Sequence, residues 1–310
     1  MNLPPPPSPT LINEAATAMA IRDGFVEKDW YVTQAIKIIS SIEYKDFKII
    51  FSGGTALSKA YGLLQRFSED IDFRLVAPAE LETRKELSAY KATVVSTLRR
   101  SGFTILDEDI KARDENRYIS LKATYPSIYP PNTELRPHIL IEIAARPTQL
   151  VPLMKPIASF VATLSKSQVE IPEIECIDPT ESAADKLSAL AWRIPDRVRG
   201  DANDDPAIVR HIHDLALLKD CALSNPHFKE MVTASMLSDN LRARNDMSLS
   251  TLTASEKFKV MFDILERDQE YQKEYNKFVL GVSYAPTGTA PNYSEALNDI
   301  KLMITLLGFT

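Results

Sequence analysis

The spacing of apolar positions changes more than once along this chain. Between residues 11 and 40 it is helical, with Ile21, Phe25, Trp30, Val32, Ile36 and Ile39 among the recurring apolar residues. "DFKIIFS" (46–52) then gathers β-branched and aromatic residues into a short run, which predicts a buried strand. Gly53-Gly54 ends that strand, Thr55 is placed to cap a helix running to about Leu64, and "DIDFRLV" (70–76) predicts the next strand. A long helix from about Pro78 to Arg100 stops at Ser101-Gly102. Three strand-like segments follow: "FTILDE" (103–108), "YISLKATYP" (118–126) and "HILIEIAAR" (138–146). In the last of them Ile139, Ile141 and Ile143 fall on one face, and Leu140, Glu142 and Ala144 on the other.

From about Thr180 the pattern is helical to the end. The switch predicts an α+β domain over residues 13–175 and a helical domain over 176–310. Ahead of them, Pro4 to Pro9 favour polyproline II over helix, so residues 1–12 read as a flexible arm. No internal repeat is present.

Composition narrows the classes. A chain of 310 residues, 45% hydrophobic and 25% charged, is that of a globular protein with a core large enough to need no disulfide or structural metal. The two cysteines, Cys176 and Cys221, and the four histidines lack zinc-ligand spacing. The N-terminus has no secretory pattern, and no stretch approaches the roughly 20 apolar residues that span a bilayer. These features predict a cytoplasmic protein without a membrane partner. A formal charge of −6 gives no global basic signature, so any nucleic-acid contact would use a local surface.

Candidate chemistry concentrates in "FSGGTALSKAYGLLQRFSEDIDF" (51–73). Glycine admits backbone conformations closed to other residues and close approach of a ligand, and the helix after it presents unpaired N–H groups. Ser52, Thr55 and Ser58 add hydroxyls. Taken alone, the glycine pair reads first as a plain tight turn. On a strand, Asp70 and Asp72 project from one face roughly 6–7 Å apart, while Ile71 points into the core. Paired carboxylates of this kind suit Mg²⁺ or Mn²⁺, or else form an acidic solvent-facing edge. Glu142, the polar residue within its apolar run, is positioned to be a third carboxylate on an adjacent strand.

The combination resembles a family: the DNA polymerase β-like nucleotidyltransferases, and within them the AbiEii-type toxins of type IV toxin–antitoxin systems. The matching residues are Gly53-Gly54-Thr55-Ala56-Leu57 and Arg66-Phe67-Ser68-Glu69-Asp70-Ile71-Asp72-Phe73. "ESAADKLSAL" (181–190) and "RHIHDLALL" (210–218) match two later segments, and "MFDILERDQEYQKEYNKFV" (261–279) is similar to an Asp-Tyr-containing helix near the family's end. Where the family often has Arg-Asp, this chain has Arg210-His211.

The resemblance implies a polymerase β-like core with a mixed sheet, a helical C-terminal domain, and an active site in the cleft between them. It implies Mg²⁺-dependent transfer of a nucleoside monophosphate from an NTP to an acceptor hydroxyl, such as the 3′ end of tRNA, with release of pyrophosphate. A cognate antitoxin would restrain the activity. Asp70 and Asp72 would be metal ligands with Ser68 beside them, Lys186 a phosphate-contacting lysine, and Asp214 a general base or positioning group. Gly53, Gly54 and Thr55 would cradle phosphates.

The residues alone leave other readings of the later segments. On a helix over 180–194, Ser182, Lys186, Ala189 and Arg193 share a face that fits either triphosphate or solvent. Asp214 fits a surface position, or an inward one that requires a partner, with Arg210 four residues away. The charged segments "DRVRGDAND" (196–204) and "LRARND" (241–246) fit substrate contact or ordinary polar loops. Two rival functions stay open: transfer to a protein or small-molecule acceptor, and a non-catalytic nucleotide-binding or interaction module.

Overall fold

The computed structural model describes residues 3–130, 135–202, 204–240, 242, 247–286 and 288–309. The chain divides into two compact units, Met1–Ile177 and Asp178–Thr310.

The first unit is built on one mixed sheet. Its strands are β1 (Lys48–Ser52), β2 (Asp70–Val76), β3 (Ile110–Arg113), β4 (Tyr118–Ala123), β5 (Ile139–Ala145), β6 (Leu153–Ile157) and β7 (Ile171–Cys176). They lie in the order β3-β4-β5-β2-β1-β7-β6. The β2–β5 and β1–β7 pairs are parallel and the others antiparallel. Alternation explains which face is covered. Ile71, Phe73, Ile119, Leu121, Ile139, Ile141 and Ile143 are all buried in one core, together with apolar residues of α2 (Asp23–Ser40) and α4 (Arg84–Ser101). Burying each such side chain contributes roughly 1.5–3 kcal/mol. The opposite face of β2 and β5 is left for Asp70, Asp72 and Glu142.

Helix α2 is apolar in composition but carries Glu27, Lys28 and Asp29 in its first half, and all three are at most 2% exposed. Successive helical residues point about 100° apart, so each charge anchors a different neighbour. Glu27 accepts from the Ser127 hydroxyl at 2.5 Å and the Ile128 N–H at 2.8 Å. Lys28 reaches Glu69. Asp29 pairs with Lys59 at 2.5 Å, at the end of α3 (Gly53–Lys59), and accepts from the Phe160 N–H at 2.7 Å at the start of α5 (Phe160–Ser165).

Several boundaries differ from the sequence reading. The proline segment does not run to residue 12: Ser8 caps α1 (Pro9–Met19) with Pro9 in the first turn, where its missing N–H costs nothing. Leu3 is tied down by its N–H, which donates to Ser101 O at 3.0 Å. Helix α3 begins at Gly53 and ends at Lys59, without a side-chain cap from Thr55. Helix α4 begins at Arg84, where the Thr83 hydroxyl accepts from the Glu86 N–H, and ends at Gly102, whose φ of +114° suits glycine. "FTILDE" forms an isolated bridge, Thr104 to Thr124, and ends in a 3-10 turn (Asp107–Asp109) instead of a strand.

The second unit is helical among its described residues: α6 (Pro179–Asp196), α7 (Arg210–Leu223), α8 (Phe228–Asp239), α9 (Ala254–Arg267), α10 (Gln269–Val282) and α11 (Tyr293–Leu306). Helix α6 packs against α7, α8 and α9, and α7 against α11. Pro179 and its cap Asp178 start α6, and capping boxes at Thr253/Glu256 and Asn292/Glu295 start α9 and α11. The stretch 261–279 is two helices joined at Asp268, which ends α9 and caps α10. Among the described residues no helix is long and apolar enough to cross a membrane.

Candidate active site

Strand β1 delivers the chain to Gly53, whose φ is +74°. A Cβ built there would lie 1.9 Å from Asp72 Oδ2, and one on Gly54 would lie 2.6 Å from Arg66 Nη2. The glycines are thus required by two side chains of the chain itself. Asp72 and Arg66 lie where a Cβ on Gly53 or Gly54 would stand. Thr55 differs from expectation. It is buried, and its hydroxyl donates to the Asp70 carbonyl and lies 2.9 Å from Ser68 Oγ. Its work is to join the start of α3 to the start of β2, which removes it from the cradle.

The carboxylates follow from strand register. Asp72 pairs directly with Glu142 across the parallel β2–β5 ladder, and Asp70 lies two residues earlier on the same face. Ile71 is fully buried on the other face. Asp70 Oδ1 accepts from Arg136 Nη1 at 2.6 Å, and the Tyr118 hydroxyl of β4 donates to Glu142 Oε1. Burial and the Glu142 carboxylate together push the Tyr118 phenol well above its ordinary pKa. Tyr118 therefore stays protonated as a donor.

The three carboxylates do not close into a cage. Among the described residues no group of three His, Cys, Asp or Glu side chains is gathered for a metal ion. The side-chain partners account for this: Arg136 holds Asp70, and Tyr118 holds Glu142. An all-oxygen pair on one face still fits Mg²⁺ or Mn²⁺. Mg²⁺ is usually held by one or two carboxylates, with substrate phosphates and water completing the octahedron.

Around this pair lies a network that the sequence reading did not identify. Lys28, fully buried, donates to Glu69 Oε2, to Arg136 O at 2.7 Å and to His138 O at 2.9 Å. Burial lowers its pKa, and Glu69 opposes that shift. Glu69 Oε2 also accepts from the Arg136 N–H at 3.1 Å. The available signal was three adjacent charges inside an apolar helix.

The second unit places Lys186 and Asp214 together. Lys186 Nζ lies 2.9 Å from Asp214 Oδ2, and the residues are 7% and 0% exposed. The solvated-face reading of α6 and the surface reading of Asp214 both fail, because α6 and α7 pack against each other there. Asp214 is inward, and a partner is Lys186 across the helices. The Ser182 hydroxyl, His211 Nδ1 and His213 Nδ1 are buried without a hydrogen-bond partner. The "DRVRGDAND" arginines are bound internally. Arg197 bridges Asp204 and Glu274, each contact at 2.7 Å, and Arg199 pairs with Asp268 at 2.9 Å. Both stack on Tyr271. Of "LRARND", only Arg242 is described; it pairs with Asp239 at 3.1 Å, and the rest lies outside the described residues.

Burial pushes the His211 pKa well below its ordinary value, and Lys186, Arg210 and Arg193 add to the shift against Asp214. An unfolded histidine titrates near 6.5, so below about pH 7 the unfolded chain binds a proton that native His211 does not. Stability is therefore lost as pH falls from there toward the lower folded pKa. His138 is shifted the same way by burial and by Lys122, Lys28 and Arg136. Unfolding free energies from denaturant titrations at pH 7.5 and 5.5 should differ by up to about 1.4 kcal/mol per pH unit for buried His211, and solvent screening leaves His138 a smaller share. His211→Gln should reduce the difference; an unchanged slope would mean that His211 takes up its proton in the native state as it does when unfolded.

Comparison with known proteins shows the family and the fold. The family model described as "Nucleotidyl transferase AbiEii toxin, Type IV TA system" matches residues 41–299. Among solved structures, the chain is similar to MenT4, a nucleotidyltransferase toxin from Mycobacterium tuberculosis H37Rv. The match has 17% identity and a TM-score of 0.51, and covers 96% of this chain and 99% of that one. An antigenic nucleotidyltransferase-like protein from Paracoccidioides brasiliensis matches at 13% identity and a TM-score of 0.37, over 72% of this chain and 91% of that one. The curated proteins contain no match. The fold is thus a nucleotidyltransferase core on a mixed sheet followed by a helical region, and the activity is NTP-dependent nucleotidyl transfer. The chain belongs to the AbiEii nucleotidyltransferase toxin family of type IV toxin–antitoxin systems.

Proposed function

We propose that this chain transfers a nucleoside monophosphate from an NTP to the 3′-terminal hydroxyl of tRNA, releasing pyrophosphate, and that it does so in the cytoplasm, where both substrates are found. Asp70 and Asp72 hold Mg²⁺ or Mn²⁺ in this reading. Glu142 supplies a third carboxylate on the same face. The observation that carries it is the register of β2 and β5, which sets Asp72 opposite Glu142 with Gly53 beneath the Asp72 carboxylate. Bound metal would neutralise the developing charge on the phosphates and on the attacking and leaving oxygens.

The chain's own groups do the positioning. Thr55 fixes the strand end from which Asp70 and Asp72 project, and Ser68 lies beside Gly54. The turn N–H groups at Gly53 and Gly54 serve the phosphates together with Arg66. The family resemblance gives Lys186 the role of a phosphate-contacting lysine, and Asp214 acts as its positioning residue, since the 2.9 Å pair fixes the ammonium. Family membership implies an NTP substrate and an antitoxin partner. The tRNA acceptor rests on the family resemblance.

Incubation of the full chain with Mg²⁺, total tRNA and each labelled NTP in turn tests the reading. Label on tRNA, absent in the Asp72 variant, is the expected result. Label on protein alone would replace tRNA by a protein acceptor, and no label with any NTP would defeat the tRNA assignment.

A further inference from the structure

We propose that Arg136 is an exchangeable counter-ion of the active site: it neutralises Asp70 when metal is absent and moves to the triphosphate when metal and NTP bind. The inference rests on the metal assignment of Asp70 and Asp72 and adds a residue to it.

Three observations carry it. First, the Arg136 guanidinium contacts the carboxylate that the cation would need: Nη1 is 2.6 Å from Asp70 Oδ1, and Nε is 3.7 Å from Glu69 Oε1. Two carboxylates on one strand face repel each other, and a guanidinium beside one of them lowers that cost in the metal-free state. Second, the backbone and the side chain of Arg136 are held differently. Its carbonyl accepts from buried Lys28, and its N–H donates to Glu69. The side chain itself is 40% exposed. The guanidinium can therefore leave Asp70 by side-chain rotation while its base stays fixed beside the site. Lys28 and Glu69 act as positioning residues for it. Third, guanidinium is suited to the second partner. Its planar set of five donors matches phosphate oxygens, and it carries its charge at every working pH.

The two partners make opposite demands, which gives the test its discrimination. Removing Arg136 frees Asp70 for a cation but takes a donor from the triphosphate. Arg136→Ala should bind Mn²⁺ about tenfold more tightly without nucleotide, the low end of what a hydrogen bond to a charged group contributes. The same variant should bind a non-hydrolysable NTP analogue in saturating Mn²⁺ about tenfold more weakly. Structural damage would not raise metal affinity. Arg136→Lys keeps the charge without the fork, so it should restore Mn²⁺ affinity toward the unaltered value and only part of the NTP affinity.

Mn²⁺ binding is read from the electron paramagnetic resonance of the free ion, and analogue binding by calorimetry, on the full chain with Asp70→Asn as reference. If Arg136→Ala leaves Mn²⁺ affinity unchanged while Asp70→Asn lowers it, the metal site stands and the counter-ion role falls. If neither substitution changes Mn²⁺ affinity, both fall together. Tighter Mn²⁺ binding with unchanged analogue affinity would overturn the transfer to triphosphate.

Discussion

Asp72→Ala should abolish nucleotidyl transfer, by on the order of 10³-fold or more, in a protein that still folds. The magnitude follows from the role: a bound metal contributes several kcal/mol of charge stabilisation, and about 4 kcal/mol is a factor of 10³. The fold should survive because the strand's contribution to the core comes from Ile71 and Phe73, both buried on the other face. Asp72 stands over Gly53, and truncation there relaxes that close approach. Rates of labelled-nucleotide incorporation, read beside thermal melting of the same preparation, separate chemistry from folding. Full activity in a folded Asp72→Ala protein would remove the carboxylate pair from the mechanism. Glu142→Gln should cost less, since the amide still accepts from Tyr118 and the Asp-x-Asp pair remains.

How much of this was readable in the chain depends on whether the cause was local. Alternation in "HILIEIAAR" placed Ile139, Ile141 and Ile143 in the core because a strand covered on one face must alternate. The same logic located Asp70 and Asp72 on the other face. Strands β6 and β7 were missed because Pro156 and Pro172 interrupt them. β6 tolerates its proline because it lies at the sheet edge. Thr55 was legible as a hydroxyl near a turn, but its acceptor, Asp70 O, is reached only when α3 and β2 meet. Lys186 lies on a face that α6 alone leaves polar; its burial comes from α7, through packing that no single-helix pattern encodes. The charges of α2 were visible, and their partners were not. Glu27, Lys28 and Asp29 find Ile128, Glu69 and Lys59, each far away in sequence.

Lys59→Met should cost about 3–5 kcal/mol of stability, the usual result of removing one member of a buried ion pair. The Lys59 and Asp29 side chains are 4% and 3% exposed. Lys59 also donates to Ala158 O at 3.1 Å and lies over the Phe160 ring. Burial already raises the Asp29 pKa, opposed by the Lys59 charge and the Phe160 N–H. Without Lys59 the carboxylate keeps that single N–H donor and must be held charged without its cation, or protonated. Its folded pKa then rises further above the unfolded value, so the variant's stability deficit should shrink as pH is lowered and grow as pH is raised. Asp29→Leu in the Lys59→Met background removes the stranded charge and should recover much of the loss, because an apolar pair of similar size often replaces a buried ion pair at little cost. Denaturant unfolding of both single variants and the double variant measures the coupling. Additive losses would show that Lys59 and Asp29 act independently and that α3, which carries Gly53 and Gly54, is held on α2 by other contacts.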